Sequence, residues 1–240
     1  MVVEILAGEV RGLGYAYADA AAAHLVQDTL ASVVEGRDAL AVTGAWEAMV
    51  KAVRNIGRPG IASSAIAAVD VALWDLKARL LGLPLAALLG PVREGVPIYG
   101  SGGFTSYDVG RLQEQLAGWA DAGIAMVKMK VGRESERDRE RVIMAREAIG
   151  TGCELFVDAN GAYERKQALL MAECFADEQV TWFEEPVSSD DLAGLRLLRD
   201  RAPAGMAIAK VRPLAGGRRF RAYLATGTYR DELADARWVA

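Results

Sequence analysis

The opening segment MVVEILAGEVRGLGYAYAD alternates apolar and other residues on either side of Gly8 and again through Gly12 and Gly14, the pattern of a short hairpin. Three helical patterns follow. Asp19 is placed to cap AAAAHLVQDTLASVVEG, which should stop at Gly36, and AWEAMVKAVRNIG should stop at Gly57, before the breaker RPG. The strongest is SAIAAVDVALWDLKARLLGLP, with Ile66, Val69, Leu73, Leu76 and Leu80 on one stripe and Gly82 and Pro84 ending it. Together these elements describe a small α+β unit.

After residue 90 the texture changes to a repeat of apolar strand, polar turn and amphipathic helix. The predicted strands are VPIYGSGG, AMVKMKVG, ELFVDANG, VTWFEEP and GMAIAK. Lys130 lies 28 residues before Asp158, and Asp158 lies 26 before Glu184. A period of that size favours a parallel sheet with right-handed crossovers, although period alone leaves barrel and open sheet as alternatives.

Composition narrows the class of partner. The chain has 240 residues, 52% hydrophobic and 25% charged, enough for one large domain or two smaller ones. A net charge of -4 and a pI near 5.3 favour neither nucleic acid nor an anionic membrane surface, which leaves a small molecule as the expected partner. Cys153 and Cys174 have no metal-type spacing, so they read as buried hydrophobes in a reducing compartment. No segment is apolar enough to span a membrane, and MVVEILAGEV lacks a basic flank and cleavage site, so a cytoplasmic location is expected. The oligomeric state is open, a homo-oligomer included.

The chemistry sits at the strand ends. Lys128 and Lys130 are two apart in AMVKMKVG, so strand alternation sends Val127 and Met129 to one face and both ammonium groups to the other. Asp158 with Asn160 closes the next strand, and Glu184 with Glu185 the one after. Charged residues recurring at successive carboxyl ends tip the balance toward a βα barrel, where that end builds the site. A turn would account for Asp158 and Asn160 taken alone, and a salt bridge for Glu184, but the three strand ends recur together. Asp158 and Glu184, hard oxygen donors with no His or Cys beside them, suit Mg²⁺. Glu185, being adjacent to Glu184, should face the other way. A metal beside two lysines points to removal of a proton next to a substrate carboxylate, through an ene-diolate. A lysine base needs its pKa brought toward neutrality, and a second ammonium and Mg²⁺ both push that way. Lys130 is then the base and Lys128 its perturber.

KMK, VDAN and FEEP at these spacings, preceded by AIAAVDVALWDLKARLLGLPLAALLG, resemble the mandelate racemase and muconate lactonizing branch of the enolase superfamily over roughly residues 1–209. The resemblance implies an α/β fold: an incomplete α+β capping domain over residues 1–90, then a partial (β/α)8 TIM-type barrel of about five strands over residues 91–209, with a divergent tail at 210–240. It also implies Lys130 as base, Lys128 as companion, Asp158 and Glu184 as two of three Mg²⁺ ligands, and Asn160 as a supporting neighbour. The double Glu of FEEP is closer to the racemase and acid-sugar dehydratase side than to the lactonizing side.

The likeness stops at MAIAKVRPLAGG. There the family carries a third acidic ligand in a sequence like Ala-Gly-Glu, and this chain has Lys210, Val211 and Arg212. From residue 210 on, seven Lys or Arg face three acids, and cations near the site would repel the metal. No later pattern supplies strands six to eight or the His-Asp dyad found there in the family, and the single His, His24, lies in a helix of the first unit. A barrel takes about 250 residues, so the expectation is a product truncated at both ends, with the reading frame shifted after Ala209. The alternative to an enzyme is a non-catalytic remnant that binds metal weakly or associates through its open sheet. In the tail, TYRDELADARWVA has helical spacing behind Thr228.

Overall fold

The opening hairpin forms as the alternation predicts. Strands β1 (Val2–Ala7) and β2 (Val10–Tyr15) pair antiparallel, with Ala7 opposite Val10 and Gly8 in the link at a φ of 59°. The protein is described by a computed structural model that covers residues 1–210, in which residues 1–95 make one unit and residue 96 begins a second.

In the first unit Asp19 caps α1 (Ala20–Leu25) by accepting from the Ala21 N–H at 2.9 Å. The helix continues through a wider π-helical turn at Val26–Leu30 into α2 (Ala31–Val34). Helix α3 (Val42–Ala52) stops five residues short of Gly57, and α4 (Ile61–Leu80) is the long helix the stripe predicts. Ile66, Val69, Leu73 and Leu76 are buried, but Leu80 is 38% exposed in the last turn, ahead of α5 (Leu85–Leu89).

The glycines of RGLGY are needed for α4. A Cβ on Gly12 would fall 2.2 Å from the Ala72 carbonyl oxygen, and one on Gly14 would fall 2.0 Å from that of Ala68. The helix therefore lies directly on the strand backbone, where only hydrogen fits. Asp75 adds a second tie, accepting the exposed Leu13 N–H at 2.8 Å while also pairing with Arg79.

In the second unit β3 (Gly100–Gly102), β4 (Met126–Lys130), β5 (Glu154–Asp158), β6 (Val180–Glu184) and β7 (Ala207–Ala209) form one parallel sheet in chain order. Helices α6 (Val109–Asp121), α7 (Ser135–Ile149), α8 (Arg165–Asp177) and α9 (Leu192–Arg201) fill the connections. This is a partial βα barrel of five strands. VPIYGSGG is a strand only at its end, where Gly100–Gly102 meets Val127–Met129, and Val96 and Ile98 before it are exposed.

One face of this sheet is dry. Val127, Met129, Leu155, Val157, Phe183 and Ile208 pack with Leu116, Val142, Ala172, Phe175 and Leu198 from the helices. The strand alternation thus sends the charged positions to the opposite face. At the amino-terminal edge of the sheet, Arg146 of α7 gathers four backbone carbonyls, those of Gly150, Cys153, Glu178 and Gln179, at 2.7 to 3.2 Å.

Candidate active site

The register places Lys130, Asp158, Glu184 and Ala209 side by side at the carboxyl ends of β4 to β7. A second row beneath holds Ser101, Lys128, Phe156, Trp182 and Ala207. The first row carries the charge, and the second holds two aromatic rings, Phe156 and Trp182, with Lys128 as its one charged residue.

Lys128 reaches up from the second row into the first. Its Nζ donates to Glu184 Oε2 at 2.6 Å, lies 3.6 Å from Asp158 Oδ2, and sits 5.2 Å from the Tyr99 ring centroid. Burial weighs against its charge, but the hydrogen bond and field of Glu184, with Tyr99 and Asp158, outweigh that and hold the ammonium above the ordinary lysine range.

Lys130 contacts the same carboxylate from above. Its Nζ makes a short contact with Asp158 Oδ2 and donates to Asn160 Oδ1 at 2.9 Å. Asn160 can do this because it turns left-handed, with φ 48°, and its N–H returns to Asp158 Oδ1 at 3.0 Å. The strand-end turn and the lysine partner are one feature. All five residues singled out from the sequence therefore meet: Lys128, Lys130, Asp158, Asn160 and Glu184.

The placement of Glu185 corrects the strict alternation. The strand ends at Glu184, and Glu185 takes a φ of 44°, so its Oε2 comes within 3.5 Å of Asn160 Nδ2, on the site side. Alternation holds only while the backbone stays extended. Lys210 is buried, with its ammonium on the Ser189 carbonyl. Val211, Arg212, the rest of the basic tail and the helical pattern behind Thr228 lie outside the described residues.

Two contributors were not singled out from sequence. Trp182, two positions before Glu184 on the same strand face, donates its indole N–H to Glu184 Oε2 at 3.3 Å. Tyr99, Phe156 and Trp182 follow one another at centroid distances of 5.7 and 6.0 Å. Period-two reading of VTWFEEP was enough to find Trp182, whereas Tyr99 precedes its strand and carries no such signal.

Behind the site, Asp138 Oδ2 accepts the Tyr163 hydroxyl at 2.6 Å and the Gly132 N–H at 2.7 Å, tying the loop after β4 to that after β5. Burial and the bond to Asp138 push the Tyr163 phenol above its usual range. A separate cleft of about 470 Å³ opens between Thr105–Asp108 and the start of α7. Arg133, Arg137 and Arg141 line it against Asp108, Glu134 and Asp138, and none of the charged row does.

The donor set agrees in kind with Mg²⁺, since it offers oxygen only and two carboxylates on neighbouring strands, a number with which Mg²⁺ sites complete their octahedron from water and substrate. Among the described residues no group of three His, Cys, Asp or Glu gathers around one point. Nor does any helix there have the length and apolarity to cross a membrane.

Comparison with known proteins gives the same assignment. Residues 1–90 match the mandelate racemase / muconate lactonizing enzyme N-terminal domain, and residues 111–231 match the enolase C-terminal domain-like family. A mandelate racemase/muconate lactonizing enzyme-like protein from Rubrobacter xylanophilus is 60% identical, with a TM-score of 0.82 over 87% of this chain and 58% of that one. The 3,6-anhydro-alpha-L-galactonate cycloisomerase of Streptomyces coelicolor is 37% identical over 79% of this chain and 54% of its own length. The L-talarate/galactarate dehydratase of Salmonella typhimurium, liganded with Mg and L-lyxarohydroxamate, is 30% identical, with a TM-score of 0.74 over 88% of this chain and 55% of that one. The chain thus spans between half and three fifths of the length of these relatives. On its two matched domains and its folded likeness to these proteins, the chain belongs to the mandelate racemase and muconate lactonizing branch of the enolase superfamily.

Proposed function

We propose that the chain carries the proton-abstracting side of a Mg²⁺-assisted reaction on a carboxylate substrate, of the kind catalysed by racemases and acid-sugar dehydratases. One observation carries the reading. Lys130, Asp158 and Asn160 form one hydrogen-bonded group and Lys128 with Glu184 another, and the 3.6 Å ion pair of Lys128 with Asp158 joins the two at the carboxyl edge of one parallel sheet. In this reading residues 1–90 are the capping domain and 91–209 the part of the barrel that holds the base.

Lys130 is the base, taking the proton from the carbon beside the substrate carboxylate and leaving an ene-diolate. Asn160 Oδ1 orients the amine through the 2.9 Å hydrogen bond. Lys128, the companion of the base, stays charged in its pair with Glu184. Asp158 and Glu184 would hold Mg²⁺, which supplies neutralisation of the charge that grows on the substrate carboxylate. Acid sugars are the favoured substrate class, because the cycloisomerase and the dehydratase among the relatives are named for them.

The test is α-proton exchange in D₂O, followed by NMR on a panel of acid sugars with Mg²⁺. At least one acid should exchange, and Lys130→Ala should slow it by about 10²- to 10⁴-fold, the usual worth of a positioned base. A folded protein that exchanges no acid, or a Lys130→Ala variant as fast as wild type, refutes the proposal.

A further inference from the structure

Glu184 is held unevenly. Among the described residues its two donors, the Lys128 ammonium at 2.6 Å and the Trp182 indole N–H at 3.3 Å, reach the same atom, Oε2. A carboxylate has room for about four hydrogen bonds, two on each oxygen, so these two donors fill Oε2 and neither of them bonds Oε1.

We infer that Trp182 is a positioning residue, whose indole N–H fixes the rotation of the Glu184 carboxylate so that Oε1 is presented to a divalent cation. The inference rests on the proposed role of Glu184 as a metal ligand. Geometry supports it in three ways. Trp182 and Glu184 are two apart on β6, so both side chains leave on the same face. Phe156, opposite Trp182 in register, lies at a centroid distance of 6.0 Å and limits the swing of the indole. Lys128 alone could follow the carboxylate as it rotates, because an ammonium on a four-carbon stem makes a poorly directional contact, whereas a rigid indole N–H has one direction.

The distinguishing change is Trp182→Phe, which keeps a ring in the floor and deletes the donor. Free Mn²⁺, measured by EPR on the full 240-residue chain, gives the dissociation constant. Groups that orient metal ligands are typically worth 10- to 100-fold in affinity, and a single long hydrogen bond should fall at the lower end, so Trp182→Phe is expected to weaken Mn²⁺ by about tenfold. Trp119→Phe, on the helix side of the sheet beside Gly100, is the control for losing an indole and should leave the constant unchanged. A second readout needs no variant fold to survive: in ¹⁵N-labelled wild type, the indole cross-peak of Trp182 should move on titration with Mg²⁺.

Equal Mn²⁺ affinity in wild type and folded Trp182→Phe overturns the inference and leaves the metal reading intact. So does a wild type that binds Mn²⁺ while the Trp182 cross-peak stays still under Mg²⁺. A wild type that leaves Mn²⁺ free refutes the metal reading itself, and the inference with it.

Discussion

Arg146 offers the sharpest test of how the sheet is held. The residue is 9% exposed, and its guanidinium donates to the carbonyls of Glu178 at 2.9 Å, Gly150 at 2.8 Å, Cys153 at 2.7 Å and Gln179 at 3.2 Å. Burial pulls its pKa below the usual arginine value, so the site costs energy that the four carbonyls return. These carbonyls lie past the end of α7, before β5, and between α8 and β6. One side chain therefore ties together two connections, α7 to β5 and α8 to β6, at the edge opposite the charged row. Replacing it by Met keeps length and removes every donor. At about 1 kcal/mol net for each of the four bonds, Arg146→Met should cost about 4 kcal/mol. With a urea m-value of roughly 1.5 kcal/mol per molar, the unfolding midpoint followed by circular dichroism should fall by about 2 to 3 M. Arg146→Lys should recover less than half of the loss, because an ammonium cannot present a planar fork to four acceptors. A midpoint for Arg146→Met within about 0.5 M of wild type would show that water satisfies those carbonyls equally well, and the reasoning would fail.

Asp70 in α4 has its pKa raised to about 6 by desolvation, so the folded state binds its proton more tightly than the unfolded chain does. Its contribution therefore destabilises above pH 6 and fades as the pH falls toward 4. After discounting for solvent screening, Asp70→Asn should stabilise by about 1 to 2 kcal/mol at pH 7.5 and by nothing near pH 4. Thermal melts showing the same difference at both pH values would contradict this. Gly14→Ala places a methyl against the Ala68 carbonyl and the Ala72 nitrogen, which only a separation of α4 from β2 relieves. It should cost about 3 kcal/mol or more, whereas Gly44→Ala, in α3 with nothing within 4 Å, should stabilise by about 0.5 to 1 kcal/mol. Equal melting temperatures for the two variants would disprove the close helix-to-strand contact.

Much of the site was legible because it depends on local geometry. Lys128 and Lys130 share a face because side chains alternate along a strand, and the strand pairing then sets Lys130 beside Asp158 and Asp158 beside Glu184. Asn160 was read as a neighbour of the site, and its left-handed turn shows how it reaches Lys130. Glu185 was misplaced because alternation was extended one residue past the strand, where a positive φ re-aims the side chain. Arg146 gave no signal at all, since its partners are backbone carbonyls and carry no residue identity.

The sequence alone determined the periods. Two-residue alternation, helical stripes and the spacing of 28 and 26 residues between strand ends follow from how far each residue advances a strand or a helix, and they suffice to name a parallel βα sheet with its charges at one edge. Only the tertiary structure decided which atoms meet: that Lys128 pairs with a carboxylate 56 residues away, that Trp182 shares the same oxygen, and that α4 rests on bare glycine backbone. Those contacts depend on angles accumulated over whole elements and on the volumes left between them, quantities that no local pattern of residues contains.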